Sequence, residues 1–356
     1  MATILFPVLN WGLGHASRSS HVIRYLLEKG HRVIPASDGT AHMYLQQRFP
    51  SLKVHRLPAL TIRYPYHNAI LNTGLQSMHL LQSFIRDKEA MRQLVREAKA
   101  DIVLSDHRLA AAIPGCFNII LLHQINIPLS WGLAMPANAI TRYFLVKYHE
   151  IWIPDTPERL LSGQLSRIKS SKVRFIGPLS HFAGMAPIPS QDKAHWDVLV
   201  ILSGPEPQRT YFEEALMHHL QGSGLKTLIV QGLPDKNQPS TLRQCRDNIH
   251  CIPFLSPGQL LPLILESRYL IARSGYSTIM DLITLGRTAL LVPTPGQPEQ
   301  NYLAMHLLKN GRFVFQKQSE LNIQTAFSQL DRLEEGITLD TGTSPLQRAI
   351  EHLPAG

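Results

Sequence analysis

A chain of 356 residues that is 44% hydrophobic and 17% charged has enough apolar side chains to bury a substantial core, which excludes a disordered polypeptide and favours two domains. It holds no run of about 18 uninterrupted apolar residues, the length a membrane span needs, and its amino terminus runs straight into a strand without a secretory leader pattern, so a cytoplasmic protein is expected. The net charge of +9 is uneven: residues 1–180 hold 21 lysines and arginines against 10 carboxylates, and the remainder is slightly acidic.

A basic half attracts anionic head groups, phosphorylated acceptors or nucleic acid. The charges are scattered and no zinc-finger, homeodomain or RNP-type motif accompanies them, so nucleic acid is set aside as a partner. Cys116, Cys245 and Cys251 are odd in number and form no C-x-x-C pair, so they are expected to be unpaired small core residues.

In chain order, Thr3-Ile4-Leu5-Phe6-Pro7-Val8 reads as a strand, Asn10 to His15 as a glycine-containing loop, and Ala16 to Gly30 as a helix. His31 to Ala36 resumes as a strand, giving a β-loop-α-β unit. The spacing Gly12-x-Gly14-x-x-Ser17 lacks the third glycine of a dinucleotide fingerprint, and Asp38 is only roughly placed as a ribose acid.

A loop rich in Tyr, Pro and His (Tyr64 to Asn72, with Arg63 before it) is a candidate ligand-facing loop or a plain surface loop. An amphipathic helix follows from about Leu75 to Lys99, carrying Leu80, Leu81, Phe84, Ile85, Met91, Leu94 and Val95 on one side. The strands Asp101 to His107 and Ile119 to Gln124 end in polar residues. In a parallel sheet such ends line the ligand crevice, so Asp106 and His123 arrive on the same rim as His15. Asp106 either supports the His15 imidazole or caps a helix.

The apolar segment Pro128 to Tyr148, with Trp131, Met135, Tyr143, Phe144, Leu145 and Val146, is suited to core packing, to covering an acceptor or to a peripheral membrane contact. Phe175 through Pro189 reads as an interdomain connection, dividing the chain into residues 1–180 and 181–356. A second strand, Asp197 to Leu202, leads through Ser203-Gly204-Pro205-Glu206 to a helix that carries Arg209, a guanidinium suited to phosphate. Pro205 has no N–H to offer there. Further strands are Thr227 to Gly232 and Ile249 to Phe254, and a helix is expected from Gln259 to Leu265.

From Tyr269 the chain reads YLIARSGYSTIMDLITLGRTALLVPTPGQPEQNY. Tyr269 to Ala272 is a strand, Arg273-Ser274-Gly275 a turn, Thr278 to Leu285 a helix capped by Ser277 or Thr278, and Ala289 to Val292 the next strand. A strand that feeds a Ser-Gly turn at a helix N-terminus is an anion site. A last short helix is expected over Ser344 to Leu353.

The Arg273 to Asn301 segment resembles the C-terminal domain of GT-B glycosyltransferases, especially the peptidoglycan N-acetylglucosaminyltransferase group (family 28-like), and Gly12-Leu13-Gly14-His15-Ala16-Ser17-Arg18 resembles their acceptor-side loop. The resemblance implies an α/β fold of two Rossmann-like domains facing each other across a cleft, the last helix crossing back to the first domain. It implies a metal-independent, inverting transfer of a sugar, N-acetylglucosamine among the candidates, from a UDP-sugar to a hydroxyl acceptor. Such an acceptor is a lipid-linked or cell-envelope glycan precursor, which would bring the enzyme to a membrane. No cofactor beyond the donor substrate is implied, and the chain has no Asp-x-Asp motif for a metal.

By position, the resemblance assigns the donor diphosphate to Gly204, Arg209, Arg273, Ser274, Gly275, Ser277 and Thr278, with Gly14 approaching it from the first loop. It assigns the ribose to Asp281, Asp standing where the group has Glu, and the sugar to Glu299, Gln300 and Asn301. The base meets Phe254 and Leu255. His15, supported by Asp106, is the candidate catalytic base, with Gly12 and His123 on the acceptor side. A UDP-sugar 2-epimerase and a non-catalytic nucleotide-sugar-binding protein remain as alternatives on the same fold.

Overall fold

The computed structural model describes residues 1–59, 77–128, 131–185, 196–233, 241–309, 311–333 and 344–354. Arg63, the 64–72 loop and residues 186–189 lie outside these, as do the side chains of Leu80, Leu81 and Trp131. The chain forms two compact units, one of Met1–Ser180 with Thr341–Gly356 and one of His181–Asp340.

The first unit runs β1 (Thr3–Pro7), α1 (Leu13–Glu28), β2 (Arg32–Ser37), α2 (Gly39–Arg48), β3 (His55–Arg56), α3 (Ser77–Ala98), β4 (Ile102–Asp106), β5 (Phe117–Leu121), α4 (Trp131–Leu145), β6 (Glu150–Ile153) and β7 (Val173–Phe175). Its strands pair in parallel in the order β3-β2-β1-β4-β5-β6-β7. The central strands are continuous apolar runs, β4 being buried at all five positions, because a parallel sheet is covered on both faces. Met91 of α3 packs with Leu5, Ile34 and Val103 on one face. The C-terminal helix Ser344–Glu351 joins this unit, burying Leu346 and Ile350 and pairing Glu351 with Lys29 at 3.1 Å.

The second unit runs β8 (Val198–Ile201), α5 (Gln208–Leu220), β9 (Thr227–Val230), β10 (Arg243–Arg246), β11 (Ile249–Ile252), α6 (Pro257–Glu266), β12 (Tyr269–Ala272), α7 (Tyr276–Thr284), β13 (Leu290–Leu291), α8 (Pro298–Lys309), β14 (Val314–Phe315) and α9 (Ile323–Leu330). Its sheet order is β10-β11-β9-β8-β12-β13-β14, parallel except for β10 against β11. Setting β10 aside, the strands repeat the 3-2-1-4-5-6 order of a doubly wound sheet. Phe212, Leu216 and Leu220, at helical spacing on α5, pack on Val198, Val200 and Ile271. Cys245 and Cys251, expected to be unpaired, are joined across β10 and β11; Cys116 is free and buried.

Each sheet reverses its winding between its first and fourth strands, β1 and β4 in one unit and β8 and β12 in the other. Ligands of doubly wound sheets bind outside the carboxyl ends at that point. Residues after β1 and β4, and after β8 and β12, are therefore placed by topology alone.

Candidate active site and donor site

In the first unit the loop after β1 turns at Gly12, whose φ of 88° suits glycine and whose missing side chain leaves open space around it. Here α1 begins at Leu13, earlier than the expected Ala16, so Gly14 and His15 lie in its first turn and Arg18 one turn on. The end of β4 delivers Asp106, wholly buried. Asp106 accepts from Arg18 Nε at 2.8 Å, from Arg18 Nη2 and from Ser19 Oγ at 2.7 Å, and its Oδ1 lies 2.9 Å from His15 Nδ1. The Arg18 fork also reaches His123 Nδ1 and His15 Nδ1, each at 2.9 Å. The structure thus brings His15, Asp106 and His123 together through one arginine.

His107 follows Asp106 with a φ of 58°, left-handed backbone that costs a non-glycine residue about 1–2 kcal/mol. Its ring centroid is 5.3 Å from that of His15 and 5.7 Å from that of His123. Its Nδ1 is buried without a partner among the described residues.

Burial raises the Asp106 carboxyl, but the charges and hydrogen bonds of Arg18 and His15 outweigh it and hold the acid well below the usual carboxylate range. Burial, and then the Arg18 charge, push His15 below its ordinary value of 6.5 against the pull of Asp106. The His15 imidazole is therefore neutral at neutral pH. His15 Nδ1 either accepts from Arg18 or donates to Asp106, not both; in the tautomer that donates to Asp106, its Nε2 lone pair is available to take a proton. His15, Asp106 and His107 offer ligand atoms within 4.8 Å of one another, a spacing open to a cation. The Arg18 guanidinium already bound to that carboxylate opposes one.

In the second unit α7 starts after Gly275, with Ser277 and Thr278 half-buried in its first turn instead of capping it and no acidic side chain there. The positive end of this helix lies at the carboxyl end of β12 and is suited to an anion. A side chain at Gly275 would meet nothing nearer than Thr278 Oγ1 at 3.9 Å, so the turn leaves room for a ligand. Gly204, after β8, holds a φ of 103°. Phe254 and Leu255 are half-buried just past β11. Asp281 Oδ2 lies 3.3 Å from His181 Nδ1.

Other expected donor residues are committed elsewhere. Arg273 is buried, not directed at a ligand: it donates to the carbonyls of Val292 (3.2 Å), Pro293 (3.0 Å) and Gln208 (2.9 Å) and to Gln318 Oε1 (2.8 Å). Its guanidinium lies 3.8 Å from the Phe212 ring centroid, and burial pulls it down to about 9. Ser274, wholly buried, donates its hydroxyl proton to Gln300 O at 2.8 Å, so that proton is not offered to phosphate. Arg209 is neutralised by Glu206 and Glu213, the latter at 2.9 Å. Glu299, Gln300 and Asn301 lie in the first turn of α8. The Gln300 side chain folds back, accepting from Thr294 N at 2.8 Å and donating to Gln297 at 2.6 Å. Asp38, the weak ribose candidate of the first unit, is bound by Arg108 and Asn10.

Sequence reasoning passed over Arg18, Ser19, His107 and His181 as site residues. The signal for Arg18 was present, since positions 15 and 18 share a helix face at i, i+3.

Residues 2–114 match the family described as Glycosyl transferase family 1, and residues 209–344 match the Glycosyltransferase family 28 C-terminal domain. An uncharacterised glycosyltransferase of Methanosarcina mazei is 23% identical over 327 residues, 86% of this chain and 84% of that protein. The UDP-N-acetylglucosamine--N-acetylmuramyl-(pentapeptide) pyrophosphoryl-undecaprenol N-acetylglucosamine transferase of Exiguobacterium sibiricum is 40% identical over 78 residues, 21% of each chain. The kitacinnamycin glycotransferase structure superposes with a TM-score of 0.64 at 15% identity, covering 98% of both chains. The switch-point loops, the doubled strand order and these likenesses agree: the chain is a glycosyltransferase of the GT-B fold, similar in its C-terminal half to the peptidoglycan N-acetylglucosaminyltransferase group.

Proposed function

We propose that the protein transfers a sugar from a UDP-sugar, N-acetylglucosamine in the first instance, to a hydroxyl acceptor with inversion and without a metal, and that His15 is the base. The observation that carries this reading is the His15–Asp106 pair at 2.9 Å, its carboxylate wholly buried and its imidazole half-buried and held neutral by desolvation and by Arg18. The acceptor hydroxyl gives its proton to His15 Nε2 as its oxygen forms the new bond to the anomeric carbon. The bond from that carbon to the donor phosphate breaks, and its electron pair leaves with UDP. Asp106 stabilises the imidazolium as it forms. The helix N-terminus at Gly275 and the Thr278 hydroxyl take up the charge developing on the diphosphate.

The partial relative acts on a lipid-linked acceptor by its name, and α4 with the residue after it exposes more than half of each of Met135, Ile140, Tyr143 and Val146. Both support an amphiphilic, lipid-linked acceptor met at a membrane surface. No described helix is long and apolar enough to cross a membrane.

The test is UDP release from UDP-N-acetylglucosamine, with water or a screened acceptor as nucleophile. His15→Ala lowers kcat by about 10²–10⁴ and leaves UDP affinity unchanged. The wild-type rate survives chelation and is flat through neutral pH, falling along an acid limb below 6.5. Wild-type kcat in the variant sinks the role of His15, and loss of all activity on chelation with recovery on adding manganese sinks the metal-free donor site.

A further inference from the structure

The first unit carries a groove of about 720 Å³ between the C-terminal end of α4 and the residues that lead into β7. Four cationic side chains line it, Arg142, Arg167, Lys169 and Lys172, and among the described residues no carboxylate does. None of the four forms an ion pair among the described residues.

Neutral oxygens hold three of them in place. Lys172 Nζ donates to the carbonyls of Val146 (2.8 Å) and Tyr148 (2.7 Å), just beyond the last turn of α4. Arg142 donates to Asn126 Oδ1 at 3.1 Å, and Asn126 is itself tied to the carbonyls of Gln164 (3.0 Å) and Arg167 (2.8 Å). Arg167 donates to Gln164 Oε1 at 3.2 Å. The groove therefore fixes positive charge without cancelling it. Like charges kept this close repel, and the natural relief is a compact anion.

The groove and the His15 cluster draw mostly on opposite rims of the sheet and share only the segment after β5, which carries both His123 and Asn126. His15, Asp106 and His123 follow the carboxyl ends of β1, β4 and β5, whereas the end of α4 and the entry to β7 lie at the opposite, amino-terminal rim of the same sheet. Lys172 stands immediately before β7, and Ile151, in the first half of β6, lines the groove beside it.

We propose that the groove is a second binding site, for a phosphate or pyrophosphate group, on a soluble molecule or on a lipid head group. Arginine forks and lysine ammonium groups suit phosphate oxygens at this density.

The test is amine acylation of the whole protein read at Lys169 by mass spectrometry, with ion-paired Lys317 as the internal control. The probes are inorganic pyrophosphate, vesicles of phosphatidylglycerol and vesicles of phosphatidylcholine. A ligand at about four times its Kd leaves one site in five free and slows Lys169 acylation roughly fivefold. Lys317 is unaffected, and protection weakens as salt rises. In Arg142→Gln with Arg167→Gln, two exposed and separately replaceable side chains, the concentration needed rises about tenfold or more. Protection by pyrophosphate assigns a soluble ligand, and protection by phosphatidylglycerol vesicles alone assigns a head group. No protection by either, or equal protection in the double variant, overturns the site. Because the readout is local to Lys169, pyrophosphate bound at α7 does not imitate it.

Discussion

Replacing Asp106 by Asn keeps the volume of the side chain and removes its charge. In the wild type this carboxylate accepts from Arg18 Nε at 2.8 Å and from Ser19 at 2.7 Å, takes a further Arg18 nitrogen, and has no solvent exposure. The amide returns one acceptor oxygen and turns an NH₂ group toward a guanidinium that has only donors. A buried cation left without its counter-ion costs about 3–5 kcal/mol, a large share of the roughly 5–15 kcal/mol that holds a domain folded. For a unit of this size each kcal/mol moves Tm by about 2–4 °C, so the first unit unfolds about 6–20 °C lower. Calorimetry, in which two units can show two transitions, is the assay. Adding Arg18→Met to Asp106→Asn removes the stranded charge and restores at least half of the loss, since contacting residues couple. A shift under about 2 °C, or a double variant no more stable than the sum of the single effects, refutes the view that Asp106 serves Arg18 as well as His15.

A second carboxylate, Asp87, makes stability depend on pH. Asp87 of α3 is buried against Arg108, and burial pushes it up to about 6. A carboxyl that binds its proton more tightly folded than unfolded adds stability that is full below its ordinary value of 3.8 and lost as pH rises through about 6. The stability gap between wild type and Asp87→Asn therefore widens by about 2–3 kcal/mol as pH falls from 7 to 4, and a gap independent of pH in urea titrations counts against it. In the second unit, Thr278→Val weakens UDP by about 1 kcal/mol or more in calorimetric titration through loss of one hydroxyl contact. Unchanged affinity would move the diphosphate away from the α7 N-terminus.

The strands were legible because parallel strands covered on both faces are nearly pure apolar runs, as in Val198 to Ile201 and Tyr269 to Ala272. The loops carrying His15 and Gly275 were legible because a glycine between a strand and a helix has few other uses. What stayed hidden depends on distant partners without a sequence signature. Arg273 is spent on carbonyls 19, 20 and 65 residues away, and any residue type supplies a carbonyl. Ser274 bonds the main chain of Gln300, so its commitment could not be inferred from either side chain. The Cys245–Cys251 link depends on β10 turning back along β11, and the short β10 has no apolar alternation to announce it. For Arg18 the sequence offered its i, i+3 spacing from His15, but not that Asp106 and His123, from two separate strand ends, converge on the same helix face.

The ends of the two sheets bear on how copies of the chain meet one another. Two seven-stranded sheets would offer four open rows of backbone N–H and C=O groups on which a foreign strand could grow. Each row is kept short here. Among the described residues the outermost strands have two residues in β3, three in β7 and two in β14, and β10 turns out Arg243 and Arg246 along its four residues. A neighbour seeking to extend either sheet finds room for one or two hydrogen bonds, or meets like charge. At the concentrations of a purified sample, strand addition at these margins is therefore a poor route to aggregates.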